Sequence, residues 1–209
     1  MRKVFLAGAA LALASLPASP LLAAEAGPYV SFSVGYLQLA DQDGSVGGEN
    51  FSNTYDAGYA LHGAGGYRFN DWFRAELELG YARSGLDQID GLLGQSFNVQ
   101  GDVDIFTAAL NAFAEWPVTA MLTPYVGGGI GLAHTDLHDV AVRIGGTKVK
   151  GDDDKSTDLL LQGEAGVAVA VAENWDLVPA YRYMWIDNGG NGLDDNTAHL
   201  FRVGLRYNF

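Results

Sequence analysis

The stretch Ala198-His-Leu-Phe-Arg-Val-Gly-Leu-Arg-Tyr-Asn-Phe209 alternates without a break from Phe201 onward. Phe201, Val203, Leu205, Tyr207 and Phe209 fall on one side, and Arg202, Gly204, Arg206 and Asn208 on the other. Side chains of a strand point to opposite faces with period two, so one face here is wholly apolar and the other carries two arginines. Chain ends ordinarily fray into solvent. An aromatic held at position 209 on an apolar strand face is a side chain meant to be covered, and what covers it decides the fold.

The other end of the chain bears on that question. Arg2 and Lys3, an apolar run from Val4 to Leu16 and the small-x-small Ala24-Glu25-Ala26 read as a secretory signal peptide over residues 1–26, cleaved near Ala24 or Ala26. The run is interrupted by Pro17 and is too short for a spanning helix, which needs about 20 residues. No later stretch is long and unbroken enough either, so a mature chain that lives in a membrane must do so as a closed barrel. The sequence has no cysteine, which excludes disulfides, thiol catalysis, thiolate metal sites and a lipid-modified N-terminal Cys. Removing residues 1–24 takes away Arg2 and Lys3 and moves the formal charge from −13 to −15. Nucleic acid is thereby excluded as a partner, because its binding is led by cations that neutralise phosphates. Residues 27–209 suit one domain.

Eight alternating runs follow. They are Tyr29 to Leu39, Gly58 to Phe69, Trp72 to Ala82, Val103 to Trp116, Pro124 to His134, Leu159 to Ala172, Trp175 to Ile186 and the closing stretch. Each is about as long as the 9 to 11 residues that a tilted membrane strand requires. The third run divides apolar from charged most clearly, with Phe73, Ala75, Leu77, Leu79 and Tyr81 against Arg74, Glu76, Glu78 and Gly80. Asn70-Asp71, Pro117 to Thr123 and Glu173-Asn174 predict short turns. Asp41 to Asp56, Arg83 to Asp102, His134 to Asp158 and Asp187 to Thr197 predict long polar loops. Within the third loop, Val140 to Ile144, Gly145-Gly146 and Thr147 to Lys150 predict a hairpin that extends the flanking strands. Pro179 removes a ladder donor, so a bulge is expected there. The strict long–short alternation matches the loops and turns of an eight-stranded antiparallel up-and-down transmembrane β-barrel over residues 27–209, with both termini on the periplasmic side.

Alternation alone does not say which face is out, since a soluble barrel would turn the same pattern around an apolar cavity. The polar face is rich in Gly, Ala and Ser, as a narrow interior needs. Its charges nearly balance, Arg68, Arg74, Arg182, Arg202 and Arg206 against Glu76, Glu78, Glu115 and Glu164, with Asp176 at a rim. Charges confined in a narrow lumen have to pair. The aromatics Tyr29, Tyr36, Tyr59, Tyr67, Phe69, Trp72, Trp116, Trp175, Tyr181, Tyr183, Tyr207 and Phe209 gather toward strand ends, as interfacial girdles do.

The expected interior is therefore a polar network of Arg68, Arg74, Glu76, Glu78, Asn111, Glu115, Gln162, Glu164, Arg182, Arg202 and Arg206. It serves either to fill the lumen or as the selectivity element of a small-solute channel, and the width of an eight-stranded barrel favours filling. His134, Asp136, His138 and Asp139 share a metal-compatible spacing but lack a further ligand. The carboxylates of Gly151 to Lys155 and of Asp187 to Asn196 fit no EF-hand pattern and are expected as solvated acidic loops, with a cation-bridged contact to lipopolysaccharide as the minor alternative. His62 is placed inward, His199 outward without a Ser two residues away, and no Gly-x-Ser-x-Gly occurs. No catalytic residue, cofactor or metal is expected.

The residues resemble a known family. Asn111, Pro124-Tyr-Val-Gly-Gly-Gly-Ile-Gly131, Tyr181-Arg-Tyr183 and Leu205-Arg-Tyr-Asn-Phe209 resemble the outer-membrane β-barrel domains of opacity-type porin-like proteins and of OmpA, over all of the mature chain. The resemblance implies residence among outer-membrane lipid and lipopolysaccharide. It also implies recognition of the outward stripe Phe201, Val203, Leu205, Tyr207 and Phe209 by the barrel assembly machinery, and a structural or surface-interaction role through four extracellular loops. No periplasmic peptidoglycan-binding domain follows Phe209, so tethering of the OmpA kind is not expected.

Overall fold

The computed structural model describes residues 26–40, 42–46, 49–55, 57–92, 95–144, 147–150, 154–187 and 196–209; residues 1–25, all but the last of the segment expected to be a signal peptide, lie outside this set. The described residues form strands and turns, with no helix among them. The strands are β1 (Gly27–Leu39), β2 (Gln42–Val46), β3 (Glu49–Tyr55), β4 (Gly58–Asn70), β5 (Phe73–Leu92), β6 (Gln95–Glu115), β7 (Leu122–Ile144), β8 (Thr147–Lys150), β9 (Asp154–Ala172), β10 (Trp175–Ile186) and β11 (Asn196–Asn208).

Eight of them close a barrel. Antiparallel ladders run β1–β4, β4–β5, β5–β6, β6–β7, β7–β9, β9–β10 and β10–β11. The last strand then returns to the first, from Tyr29↔Asn208 to Leu39↔Ala198. Closure leaves no sheet edge, the condition for crossing hydrocarbon with strands. Three tight connections lie at the end that also holds Gly27 and Phe209, called here the terminal end. Asn70 accepts the Trp72 amide at 3.0 Å through Oδ1. Thr119 Oγ1 accepts the Met121 and Leu122 amides at 3.2 and 3.0 Å, closing the turn between β6 and β7. The opposite, loop end carries the long connections.

Three expectations change at the loop end. Asp41 to Asp56 and Arg83 to Asp102 are strand rather than loop over most of their length: β2 and β3 form a hairpin, β3 pairs with β5 from Ser52↔Asp90 to Tyr55↔Leu86, and β5 and β6 continue to Leu92↔Gln95. β4 reaches β5 only as far as Tyr59↔Arg83, so the edge of β5 beyond it is free to take β3. A ladder above the membrane also needs no apolar face. The hairpin at Ile144 and Thr147 forms as expected, with β8 on β7. β5, β6, β7 and β9 therefore rise higher than the other four strands. Of the fourth loop, residues 188–195 lie outside the described set, and Asn196 and Thr197 already belong to β11.

The expected bulge at Pro179 is absent. The β10–β9 register is the same on both sides of it, Leu177↔Val169 and Ala180↔Gly166, and the irregularity lies at Trp175/Asp176. The β11 ladder runs through Pro179↔Val203, so the missing donor is confined to the β9 side and costs no register.

The apolar stripes face outward. Phe32, Leu79, Leu110, Ile130 and Phe201 are all exposed, and Phe209 is 70 % exposed. Tyr29 departs from the girdle expected of it: it is buried in the lumen, because it shares the parity of Ser31 and Ser33 rather than that of Val30 and Phe32.

Candidate functional site

Among the described residues, polar side chains converge on the inner face. Toward the terminal end it holds two ionic clusters. In the first, Arg182 donates through Nε to Glu164 Oε2 at 2.7 Å and through Nη2 to Glu78 Oε2 at 2.9 Å, with a further bond from Nη1 to Glu78 Oε1. Arg202 spans the same two carboxylates, Nη1 to Glu78 at 2.7 Å and Nη2 to Glu164 at 2.9 Å. Tyr125 donates its hydroxyl to Glu164 at 2.7 Å.

In the second cluster, Glu115 accepts from three arginines: Arg68 Nε at 3.0 Å, Arg74 Nε at 2.8 Å and Arg206 Nη1 at 3.1 Å. Glu76 accepts from Arg74 Nη1 at 2.9 Å and from the Tyr29 hydroxyl at 2.8 Å. Asp176 accepts from Arg206 Nε and Asn208 Nδ2, both at 2.9 Å. Amides join the clusters: Arg182 Nη1 donates to Gln162 at 3.3 Å, Gln162 Nε2 to Asn111 at 2.6 Å, and Asn111 Nδ2 to Glu76 at 3.4 Å.

Each cluster is neutral, two arginines with two glutamates in the first and three arginines with three carboxylates in the second. All eleven network residues named from the sequence lie on this inner face and take part in these bonds. Arg182 is 1 % exposed. Buried charges survive because each is paired and hydrogen-bonded, and losing one partner would strand the others.

Aromatic side chains fill the gaps between charges. The Arg74 guanidinium lies 3.7 Å from the centroid of Phe113 and 4.9 Å from that of Tyr125, cation–π contacts inside the lumen. Glycine makes room for two of the inner rings. A Cβ on Gly66 would come within 2.4 Å of the Tyr29 ring, and one on Gly127 within 2.4 Å of Phe113. Sequence reading did not assign Tyr29, Phe113 or Tyr125 to the network, although all three share its parity. A void of about 20 Å³ remains among Ser31, Ser33, Arg74, Glu76, Tyr125, Arg202 and Arg206. That is room for about one water.

Toward the loop end the same face changes character. There the lumen is packed with Leu37 and Leu39 from β1, Ala60 from β4, Ala82 from β5, Val103 and Ile105 from β6, Ala133 from β7, Leu160 from β9, Met184 and Ile186 from β10, and Ala198 and Leu200 from β11, all buried. Every barrel strand contributes. The expectation of a lumen polar throughout is thus corrected: the interior has a polar layer and an apolar layer. Nδ1 of His62, a buried inward residue, has no hydrogen-bond partner among the described residues.

Of the metal-compatible spacing, only His134 and Asp136 have described side chains, and both are engaged elsewhere. His134 Nδ1 meets Thr157 Oγ1 at 2.8 Å and Asp136 accepts from Lys155 at 2.6 Å, both on the outside of the barrel; the side chains of His138 and Asp139 lie outside the described set. No group of three or more metal-ligating side chains occurs among the described residues. His199 faces outward and pairs its Nδ1 with the Tyr181 hydroxyl at 2.7 Å. Of the two acidic segments, residues 151–153 and 188–195 are outside the described set.

Comparison with known proteins agrees with the barrel. The family model described as "Outer membrane protein beta-barrel domain" matches residues 8–209. An uncharacterized protein of Brucella abortus is 28% identical, over 77% of this chain and 72% of its own length. Among solved structures, Neisserial surface protein A superposes with a TM-score of 0.57 at 22% identity, covering 88% of this chain and 97% of that one. The outer membrane protein OprG from Pseudomonas aeruginosa gives 0.60 at 18% identity, covering 88% and 96%. At these identities the two structures speak for the fold alone.

Proposed function

Because the chain belongs to the outer membrane protein beta-barrel domain family, we propose that it is a closed-lumen surface protein whose work is done at its loop end, neither by catalysis nor by transport. It resides in the bacterial outer membrane. The observation that carries the closed-lumen reading is an inner face filled along its length: ten charged groups, none of the set without a partner, occupy the terminal half, and buried apolar side chains from all eight barrel strands occupy the loop half. A selectivity filter needs groups free to exchange with a solute.

The segment 1–26 directs export and is cleaved. Both termini and the three tight turns face the periplasm, and the loop end faces outward, as the long–short alternation suggests. Lipid and lipopolysaccharide contact the outward stripes. The assembly machinery reads the outward stripe of β11, Phe201, Val203, Leu205 and Tyr207, together with the Phe209 that follows it.

The purified protein in planar bilayers should give no unitary conductance steps; resolved steps would sink the closed-lumen reading in favour of a small-solute channel. Protease applied to intact cells should cut only within residues 134–158 and 187–197, and cleavage at Asn70-Asp71 or Glu173-Asn174 would reverse the orientation. Removing Phe209 should lower the yield of heat-modifiable, folded barrel, and an unchanged yield would refute its role in assembly.

A further inference from the structure

We infer that the barrier to permeation is the apolar layer at the loop end of the lumen, and that the ionic clusters are not the seal. The inference rests on the closed-lumen reading above and says where the closure lies. The two layers differ in what they offer an intruding water or ion. In the polar layer every step meets a guanidinium, carboxylate, amide or hydroxyl that can replace a lost hydration bond. Glu78 and Glu164 are each shared by two arginines and Glu115 by three, so pairing can be redistributed without leaving a charge alone. A void large enough for one water already lies there.

The apolar layer offers far less of it, the hydroxyls of Ser84 beside Val103 and of Thr107 beside Ala133. Leu160 and Leu200 are both 0 % exposed, and the set draws on all eight barrel strands, so it rings the lumen and is not a one-sided patch. Its packing is tight: a Cβ on Gly35 would come within 2.7 Å of Leu200 Cδ1. Leu37, Leu200, Met184 and Leu160 come from the β1–β11–β10–β9 arc, and Ala60, Ala82, Val103, Ile105 and Ala133 from the opposite one. An ion entering this layer would shed its hydration with little replacement, and narrow apolar constrictions exclude water altogether.

The test is ion flux through the full-length protein reconstituted in planar bilayers, with the heat-dependent shift in electrophoretic mobility confirming that each variant is folded. The wild type should be silent. The double variant Leu160→Ser, Leu200→Ser should change from silence to resolved conductance steps, while Glu78→Gln with Arg182→Gln, which removes a charge pair and keeps neutrality, should stay silent. Should the double serine variant fail to fold, Leu200→Ala alone replaces it and should raise the leak above wild type. Silent apolar-layer variants overturn the inference, as does conductance in the Glu78, Arg182 variant. Conductance in the wild type itself would instead remove the closed-lumen reading on which the inference rests.

Discussion

The terminal half and the loop half of this lumen are enclosed by the same eight strands, yet they are filled by opposite chemistry. One half is held by five arginines and five carboxylates bonded across the barrel, the other by leucine, isoleucine, methionine and alanine. The difference teaches that the inside of a small barrel is a protein core whose filling is a matter of reach and satisfaction. Arginine and glutamate span the lumen from opposite walls only where every charge can find partners. Where no such set is available, burial of apolar area does the work without pairing.

The largest effect should come from the most shared group of the polar half. Glu115→Gln leaves Arg68, Arg74 and Arg206 without the carboxylate that accepts from all three, and should cost about 3–5 kcal/mol of barrel stability. Urea titration of the folded protein in detergent or lipid vesicles, read as the shift in unfolding midpoint, checks it. A loss below about 1 kcal/mol would mean that the lumen is wet enough to solvate three arginines.

Leu200→Ala probes the apolar half with the same titration. Truncating a side chain with no exposure costs its transfer free energy plus that of the cavity left behind, about 2–5 kcal/mol. If the two halves are independent, the Leu200→Ala and Glu115→Gln losses should add within about 0.5 kcal/mol, because the groups share no partner. Clear non-additivity would show the two layers folding as one unit.

Most of this barrel is legible from period two alone. Alternation in the eight runs separates inner from outer residues, and the arginines and glutamates of the polar half follow from parity, since charges that cannot face lipid must face one another. The apolar half was equally present in the sequence: Leu37, Leu39, Leu160, Met184, Ile186, Ala198 and Leu200 all have inner parity. It was missed because an apolar residue at the end of a strand draws no attention when its inward neighbours are polar. Tyr29 has inner parity too, but its place at a strand end gives it the look of a girdle residue. The extensions of β5 and β6 and the β2–β3 hairpin were not legible at all. Backbone pairing by itself leaves no periodic trace in side-chain polarity when no face of the strand has to be buried.

A smaller effect separates the hydroxyls from the charges within the polar half. Tyr125→Phe keeps the ring and removes only its donation to Glu164, which still accepts from Arg182 and Arg202. The expected loss is about 1.5 kcal/mol. A loss as large as that of Glu115→Gln would mean that the phenol, not the arginines, holds Glu164.

The smallest effect belongs to an ion pair of the same chemistry placed outside the barrel. Lys155 donates to Asp136 at 2.6 Å, as short as many of the lumenal contacts, but its side chain is 61% exposed. Exposed pairs gain little, because water and salt screen the attraction and holding a long lysine in one rotamer costs entropy. Lys155→Ala should therefore shift the unfolding midpoint by less than about 1 kcal/mol. Bond length alone would rank this pair with Arg182 and Glu164 at 2.7 Å. A double-mutant cycle on each pair would show whether burial makes the difference, and equal coupling energies would remove the distinction between lumen and surface.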